Sequence, residues 1–326
     1  MPQQGLKKTV VEHVKVSPEE TGRRIDNYLT GRLKDVPKTR IYRMLRKGEV
    51  RINGGRVKQD YRLQEEDIIR IPPFFKDAGP GKNTILAPPA RLQAVLGASI
   101  IYEDDYLLVV NKPAGIAVHA GSGDQFGVIK IMRALRPECA SLELVHRLDK
   151  LTSGCLLLAK GHRYLRELHE MLRHNQIQKH YIALLYGKIP RKLEITLALS
   201  RNELQSGERM VQVDAAGKNA ETVFYLEKYV NNASLVQIEI ATGRTHQIRV
   251  HAAHCGHPVA GDIKYGDRVF NRALRRAGLR RMFLHADSLT LVLPQSGKTE
   301  TIHAPVPDEL GAFINSYSRT NEKKTG

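Results

Sequence analysis

Two periods of apolar residues alternate along this chain, changing over at breaks rich in Gly and Pro. Ile25, Leu29 and Leu33 recur at i, i+4 and i+8, which predicts an amphipathic helix within residues 22–33. Beyond the break Asp35-Val36-Pro37, Ile41, Met44 and Leu45 form the stripe of a second helix, and Gly48 ends it. Residues 50–57 alternate as a strand and turn at Asn53-Gly54, a strong hairpin signal. A strand over 67–71 closes a small α+β unit, assigned to residues 19–75. Residues 1–18 read as an N-terminal arm, whose VVEHVKV is a loose segment or a first strand. Residues 76–97 gather Pro and Gly without a sustained period and read as a linker.

A larger domain is expected over residues 98–317. Its strands are predicted at 100–110, 142–145, 155–159, 179–186 and 235–240, each a short apolar or alternating run. Leu165, Leu168 and Leu172 predict a helix within 162–177, and a further helix is expected from about Thr245 with Ile248, Ala252 and Cys255 inward. Leu289, Leu291 and Leu293 alternate in a final hairpin, and the polar tail 318–326 is expected to be disordered.

Charge narrows the partners. Lys and Arg number 51 against 34 Asp and Glu, a formal net charge of +17, so a polyanion is the expected partner. No stretch approaches the roughly 18 apolar residues of a membrane span, and the first residues lack the apolar centre of a signal peptide. Nucleic acid is therefore preferred over a membrane, and the cytoplasm is the expected compartment. The three cysteines are odd in number and widely spaced, which reads as reduced thiols. Residues 38–58 hold eight Lys or Arg and one Glu, a local +7. Arg40, Arg43, Arg46, Lys47, Arg51 and Lys58 are the candidates for RNA phosphates, with Arg43, Arg46 and Lys47 on a helical face apart from the apolar stripe.

The candidate chemistry centres on HRLDKLTSG, residues 146–154, a charged turn between two apolar runs. Asp149 stands there with Arg147 and Lys150 beside it, and a charged Asp on a rigid mount can act as nucleophile or base. Asp, Thr, Ser and Gly also build ordinary turns, so the residue types alone do not assign the role. The crowd His246, His251, His254, Cys255 and His257 has no HExxH and no neighbouring carboxylate in sequence, and no metal site is expected.

HRLDKLTSG resembles the signature of the RluA/RluC-type pseudouridine synthases. NKPAG at 111–115 and GRTHQIRVH at 243–251 are similar to two further motifs of that family, and residues 204–209, LQSGER, resemble the RluC branch. The small basic unit is similar to an S4 RNA-binding domain. The resemblance implies an α+β chain, an S4-like module followed by a catalytic domain with a mixed, mainly antiparallel sheet. It implies that Asp149 is the essential carboxylate, that Arg249 pairs with it, and that Tyr181 is the active-site tyrosine. Arg147, Lys112, His119, Thr152 and Arg244 are expected around the substrate, Arg147 as a candidate to fill the space a flipped base vacates.

The implied reaction is isomerisation of uridine within RNA, with no cofactor. Attack by Asp149 on C1′, attack on the uracil ring, and removal of the 2′ proton all stay open. The expected substrate is 23S ribosomal RNA or a large-subunit assembly intermediate, bound by a monomer. Transfer RNA is the alternative within the family, and a non-catalytic ribosome assembly factor or a metal-dependent RNA hydrolase the alternatives outside it.

Overall fold

The structure is a computed structural model that describes residues 7–33, 36–76, 87–120, 125–139, 141–203 and 209–322. In the N-terminal unit, Lys7–Lys8 (β1) pairs with Phe75–Lys76 (β5), while Glu12–Lys15 (β2), Arg51–Ile52 (β3) and Ile68–Ile71 (β4) form a sheet in the order β2-β4-β3. Helices Ile25–Arg32 (α1) and Lys38–Lys47 (α2) pack on it. The α2 stripe is as the periodicity predicts, since Ile41, Met44 and Leu45 are buried with Val16, Ile25, Leu29 and Ile69. Gly48 caps α2 at φ +68°, a left-handed turn that glycine adopts without strain. The VVEHVKV segment takes the strand option, as β2 joins this sheet through β4.

The linker expectation is corrected at its end. Ala90–Gly97 is a helix (α3), and its Leu96 is fully buried in the core of the larger domain. Pro88 and Pro89 suggest a loop, but proline is well tolerated just before a helix begins.

The larger domain is built on one ten-stranded sheet. Its strands are Ile100–Glu103 (β6), Leu107–Lys112 (β7), Leu142–Leu144 (β8), Ser153–Lys160 (β9), Gln178–Tyr186 (β10) and Lys192–Thr196 (β11). Leu199–Glu203 (β12) and Arg209–Val213 (β13) make a separate hairpin, and Glu221–Val230 (β14), Ala233–Ile240 (β15), Leu284–Val292 (β16) and Thr299–His303 (β17) complete the sheet. The order is β11-β14-β15-β10-β16-β9-β7-β6, with β17 beside β16 and β8 beside β9. Among the described residues every pairing is antiparallel except one, a short parallel seam in which Ser153 and Gly154 of β9 meet His285 and Ala286 of β16. The sheet is thus mixed and mainly antiparallel.

Helices Val128–Leu135 (α4), His162–Arg173 (α5), Gln247–His254 (α6), Arg268–Arg276 (α7) and Asp308–Glu322 (α8) lie against this sheet and its loops. Runs of β-branched and Leu residues in β7 and β9 are buried on both faces, which explains why those strands read as continuous apolar segments rather than alternating ones. The tail expectation is corrected for residues 318–322, because α8 runs on to Glu322; residues 323–326 lie outside the described residues. Leu310, Phe313 and Ile314 anchor it in one cluster with Phe270, Leu274 and Phe283, and residues 317–322 continue that helix.

Candidate active site

The loop from β8 to β9 carries Asp149, and the seam explains how the loop is held. Gly154 sits at φ +110°, and a Cβ there would lie 2.6 Å from the backbone nitrogen of Ala286, so only glycine lets β9 approach β16. Ala286 is also the register partner of Tyr181 on β10. The line Gly154, Ala286, Tyr181 across three strands therefore sets the tyrosine beside the loop. Within the loop, the Thr152 amide donates to the Asp149 carbonyl at 3.1 Å. The Leu157 amide donates to His146 Nε2 at 3.1 Å, which requires a neutral ring, and burial accordingly lowers the His146 pKa to about 4.

Arg249 reaches Asp149 from α6. Its Nη1 donates to Asp149 Oδ2 at 3.0 Å, while Nε and Nη2 donate to the two oxygens of Asp262 at 2.7 and 2.9 Å. The Asp262 side chain is fully buried, that of Arg249 5% exposed and that of Asp149 22% exposed, so the charges step outward from core to cleft. Asp262 Oδ1 also accepts the amides of Lys264 and Tyr265 at 2.9 and 3.2 Å. Burial acts against the charge of Asp262, yet the hydrogen bonds and charge of Arg249 hold its pKa below the ordinary carboxylate value. The Tyr265 ring stacks on the guanidinium with its centroid 5.1 Å from Cζ.

The start of α6 is less simple than the sequence suggests. The helix begins at Gln247 rather than Thr245, because His246 takes a left-handed conformation at φ 55°. Gln247 is the organiser: its Oε1 accepts from the Arg244 amide and the Thr242 hydroxyl, and its Nε2 donates to Glu221 O and Thr222 Oγ1. The Tyr265 hydroxyl accepts the Val211 amide at 3.0 Å and is hydrogen-bonded to His246 Nδ1 at 2.8 Å. This leaves His246 Nε2 turned toward Asp149 Oδ2, 3.9 Å away. The histidine crowd is thus dispersed, with His251 fixed between Thr222 Oγ1 and Leu197 O.

Asp149, Arg147, Thr152, Tyr181, Arg244 and Arg249 line a small recess together. It continues into a cleft of about 950 Å³, where His119 and Lys179 are added to the wall. Arg147 is exposed at the mouth, 3.4 Å from Thr245 Oγ1, and Arg244 is tied by Nε to Asn219 O. Tyr181 is 7% exposed, and burial together with the Asp149 charge raises its phenol pKa well above the ordinary value.

One expectation is corrected. Lys112 is fully buried beneath the loop, where its ammonium donates to the carbonyls of Pro113, Ile116 and Lys150 at 2.9, 3.0 and 3.2 Å. It ties the NKPAG turn to the Asp149 loop and does not line the cleft. Burial pulls its pKa down to about 7, opposed by three acceptors that only the ammonium can satisfy in full. Arg40 of the basic unit is engaged by both oxygens of Glu49, at 3.2 and 2.7 Å. Arg43, Arg46, Lys47 and Lys58 are exposed, and Arg51 is exposed while donating to Gly48 O. Residues 204–208 of the LQSGER stretch lie outside the described residues.

Asp262, Tyr265 and Gln247 escape a reading of the sequence. Asp262 lies thirteen residues beyond its partner and outside the matched motifs, and only its Gly-Asp setting after an apolar run marks a turn.

The arrangement is a carboxylate, a cation locked behind it and an aromatic ring at the head of a cleft wide enough for a nucleotide. The family model for RNA pseudouridylate synthase matches residues 106–254, and that for the S4 domain matches residues 23–69. Over 303 residues the chain is 49% identical to the ribosomal large subunit pseudouridine synthase C of Escherichia coli (strain K12), covering 92% of this chain and 94% of that one. With the protein of the same name from Haemophilus influenzae it shares 48% identity over 309 residues, 93% of this chain and 94% of the other. Among solved structures, human RNA pseudouridylate synthase domain containing 1 superposes with a TM-score of 0.54 at 28% identity, over 66% of this chain and 86% of that one. Human RNA pseudouridylate synthase domain containing 4, at 24% identity and TM-score 0.57 over 70% of this chain and 95% of that one, shares the fold. Sequence likeness over almost the whole length and likeness of fold agree, and the chain belongs to the RNA pseudouridine synthase family, with an S4 domain at its N-terminal end.

Proposed function

We propose that this enzyme converts specific uridines of large-subunit ribosomal RNA to pseudouridine, with Asp149 as the essential carboxylate. The observation that carries the reading is the meeting of Asp149, Arg249 and Tyr181 at one recess, each from a different element. The reaction breaks the bond from ribose C1′ to uracil N1, joins C1′ to C5, and exchanges a proton at C5 for one at N1. Whether Asp149 acts on C1′, on the ring or on the 2′ proton, its carboxylate must be charged and fixed beside the nucleoside. Arg249 serves both needs, and its own charge is neutralised from behind by Asp262.

Tyr181 covers the uracil and takes part in the transfer of the C5 proton. A base inside a duplex cannot reach the recess, so the nucleotide is turned out and Arg147, exposed at the mouth, fills its place. Large-subunit RNA is preferred over transfer RNA because relatives with near-equal length and about half the residues identical carry that substrate in their names. No helix of the described residues is long and apolar enough to cross a membrane, and the three cysteines are free thiols, in keeping with a cytoplasmic enzyme.

The test is pseudouridine mapping of ribosomal and transfer RNA from cells lacking the gene, complemented with wild type or Asp149→Asn. The expected result is loss of particular large-subunit sites, restored by wild type alone. Sites lost only from transfer RNA would reassign the substrate. Full restoration by Asp149→Asn would remove the catalytic role of Asp149.

A further inference from the structure

Outside the S4 domain, positive charge is concentrated a second time. Residues 263–281 contain seven Lys or Arg and one Asp. The acid, Asp267, is occupied as the cap of α7, its side chain accepting from the Phe270 amide. At about 100° per residue, Arg268, Arg272, Arg275 and Arg276 fall within about 100° of one another on α7. Phe270 and Leu274, the buried contacts of the helix, lie on the opposite side.

These four arginines and Arg280 are exposed, and among the described residues none of the five forms an ion pair. Arg268 and Arg272, Arg272 and Arg275, and Arg272 and Arg276 are like charges at i, i+3 or i+4, an arrangement that destabilises a helix. The stripe thus carries like-charge repulsion along the helix without an ion pair to offset it, although Arg275 and Arg276 suit the C-terminal turn in which they lie. Val269 of the same helix, 75% exposed, adds apolar surface that the core also leaves uncovered.

The helix is joined rigidly to the active site. Asn271 of α7 accepts from the Gly261 amide at 2.7 Å and donates to the Asp262 carbonyl at 2.8 Å. Asp262 in turn fixes Arg249, so whatever α7 binds is held in register with the Asp149 recess.

We propose that the arginine face of α7 is a second RNA-binding surface, which holds the phosphate backbone flanking the target uridine while the S4 domain holds RNA elsewhere. The occupant follows from charge and connection: an unpaired cationic stripe suits a polyanion, and its tie to Asp262 suits the polyanion that enters the recess. The inference rests on the RNA-modifying activity proposed above. It goes beyond that reading by assigning a surface outside the cleft.

The experiment compares the full chain with a variant carrying Arg268→Gln, Arg272→Gln, Arg275→Gln and Arg276→Gln. Binding to a large-subunit RNA transcript and to poly-uridylate is titrated against salt, and pseudouridine formation is followed on the transcript. The expected variant melts no earlier than wild type and loses at least about tenfold in affinity. Its log–log salt slope on single strands should be smaller by about 0.7 for each phosphate that it no longer neutralises. KM should rise while kcat at saturating RNA stays the same, since no residue of the recess is altered. Unchanged affinity and slope would overturn the inference. So would a loss of binding to phosphatidylglycerol vesicles with RNA binding intact, which would assign the face to an anionic membrane. If wild type forms no pseudouridine on any RNA, the functional reading fails separately, and the poly-uridylate slopes still judge the surface.

Discussion

Arg249 and Asp262 are locked by two parallel hydrogen bonds in the core, and Asp149 receives only the one remaining arm of the guanidinium. The stronger pair is thus the one that does not face substrate. Its arrangement fixes the direction of the arm that does.

Removing the charge at Asp262 leaves a buried arginine with one partly exposed carboxylate. Asp262→Asn is expected to destabilise the fold by about 3–5 kcal/mol, the usual result of breaking a buried ion pair. In the fraction that stays folded at low temperature, kcat should fall more than KM rises, because Arg249 is free to swing away from Asp149. Arg249→Lys keeps a charge but cannot serve two carboxylates, and the same split is expected. Melting curves and steady-state kinetics on one RNA transcript check both, and a KM effect alone would show that the pair serves binding.

Tyr181→Phe retains the ring and removes only the hydroxyl. The expected outcome is a nearly unchanged KM with kcat lowered about 10²- to 10⁴-fold, the range of a lost proton-transfer group. Burial and the Asp149 charge keep this phenol protonated before reaction. Bond formation to the nucleoside and uptake of the 2′ proton each neutralise Asp149, so by any of the three routes the hydroxyl becomes easier to ionise at the stage when a base is needed. Equal activity of Tyr181→Phe and wild type would limit the tyrosine to stacking.

How far the sequence leads can be judged at these residues. The Ile41, Met44 and Leu45 stripe, the apolar runs around the Asp149 loop and the strand carrying Tyr181 follow periodicities that local packing preserves. Arg249 is reached through a motif and not through spacing, since it lies 100 residues from Asp149. Asp262, the burial of Lys112 and the pairing of Arg40 with Glu49 depend on which side chains meet across the fold, and no one-dimensional pattern records that. Helix α3 is hidden by prolines that precede it, and the S4 sheet gains β2 from a segment too short to have a clear period.

Acid should loosen the catalytic loop through His146. Its unfolded pKa is about 6.5, and burial, assisted by the charge of Lys179, lowers the folded value to about 4. Between those values the unfolded chain binds a proton that the native chain does not, so stability is full above pH 6.5 and falls as the pH drops toward 4. The part attributable to this ring is at most about 3–4 kcal/mol, taking ~1.4 kcal/mol per unit. Denaturant midpoints measured from about pH 7.5 to 4 should converge for wild type and His146→Gln, whose amide oxygen can still accept from the Leu157 amide. Parallel curves would show that the ring is not the titrating group.

Gly154→Ala tests the seam. The left-handed backbone alone costs about 1–3 kcal/mol for a non-glycine residue, and the added methyl meets the Ala286 backbone. A lower melting temperature and a loss of kcat are expected together, because β9 cannot move from β16 without carrying Asp149 with it. Activity kept at the wild-type level in a destabilised variant would uncouple the seam from catalysis.

That seam also sets the order in which a working enzyme can come into being. Gly154 and Ala286 are 132 residues apart, and nothing between them supplies β9 with this neighbour. During synthesis the Asp149 loop leaves the ribosome long before the strand that fixes it, and contacts of such long sequence separation form late. The nascent chain therefore carries an RNA-binding S4 domain, complete by its seventies, well before it carries a catalyst. A chain that ended ahead of β16 would hold RNA without being able to modify it.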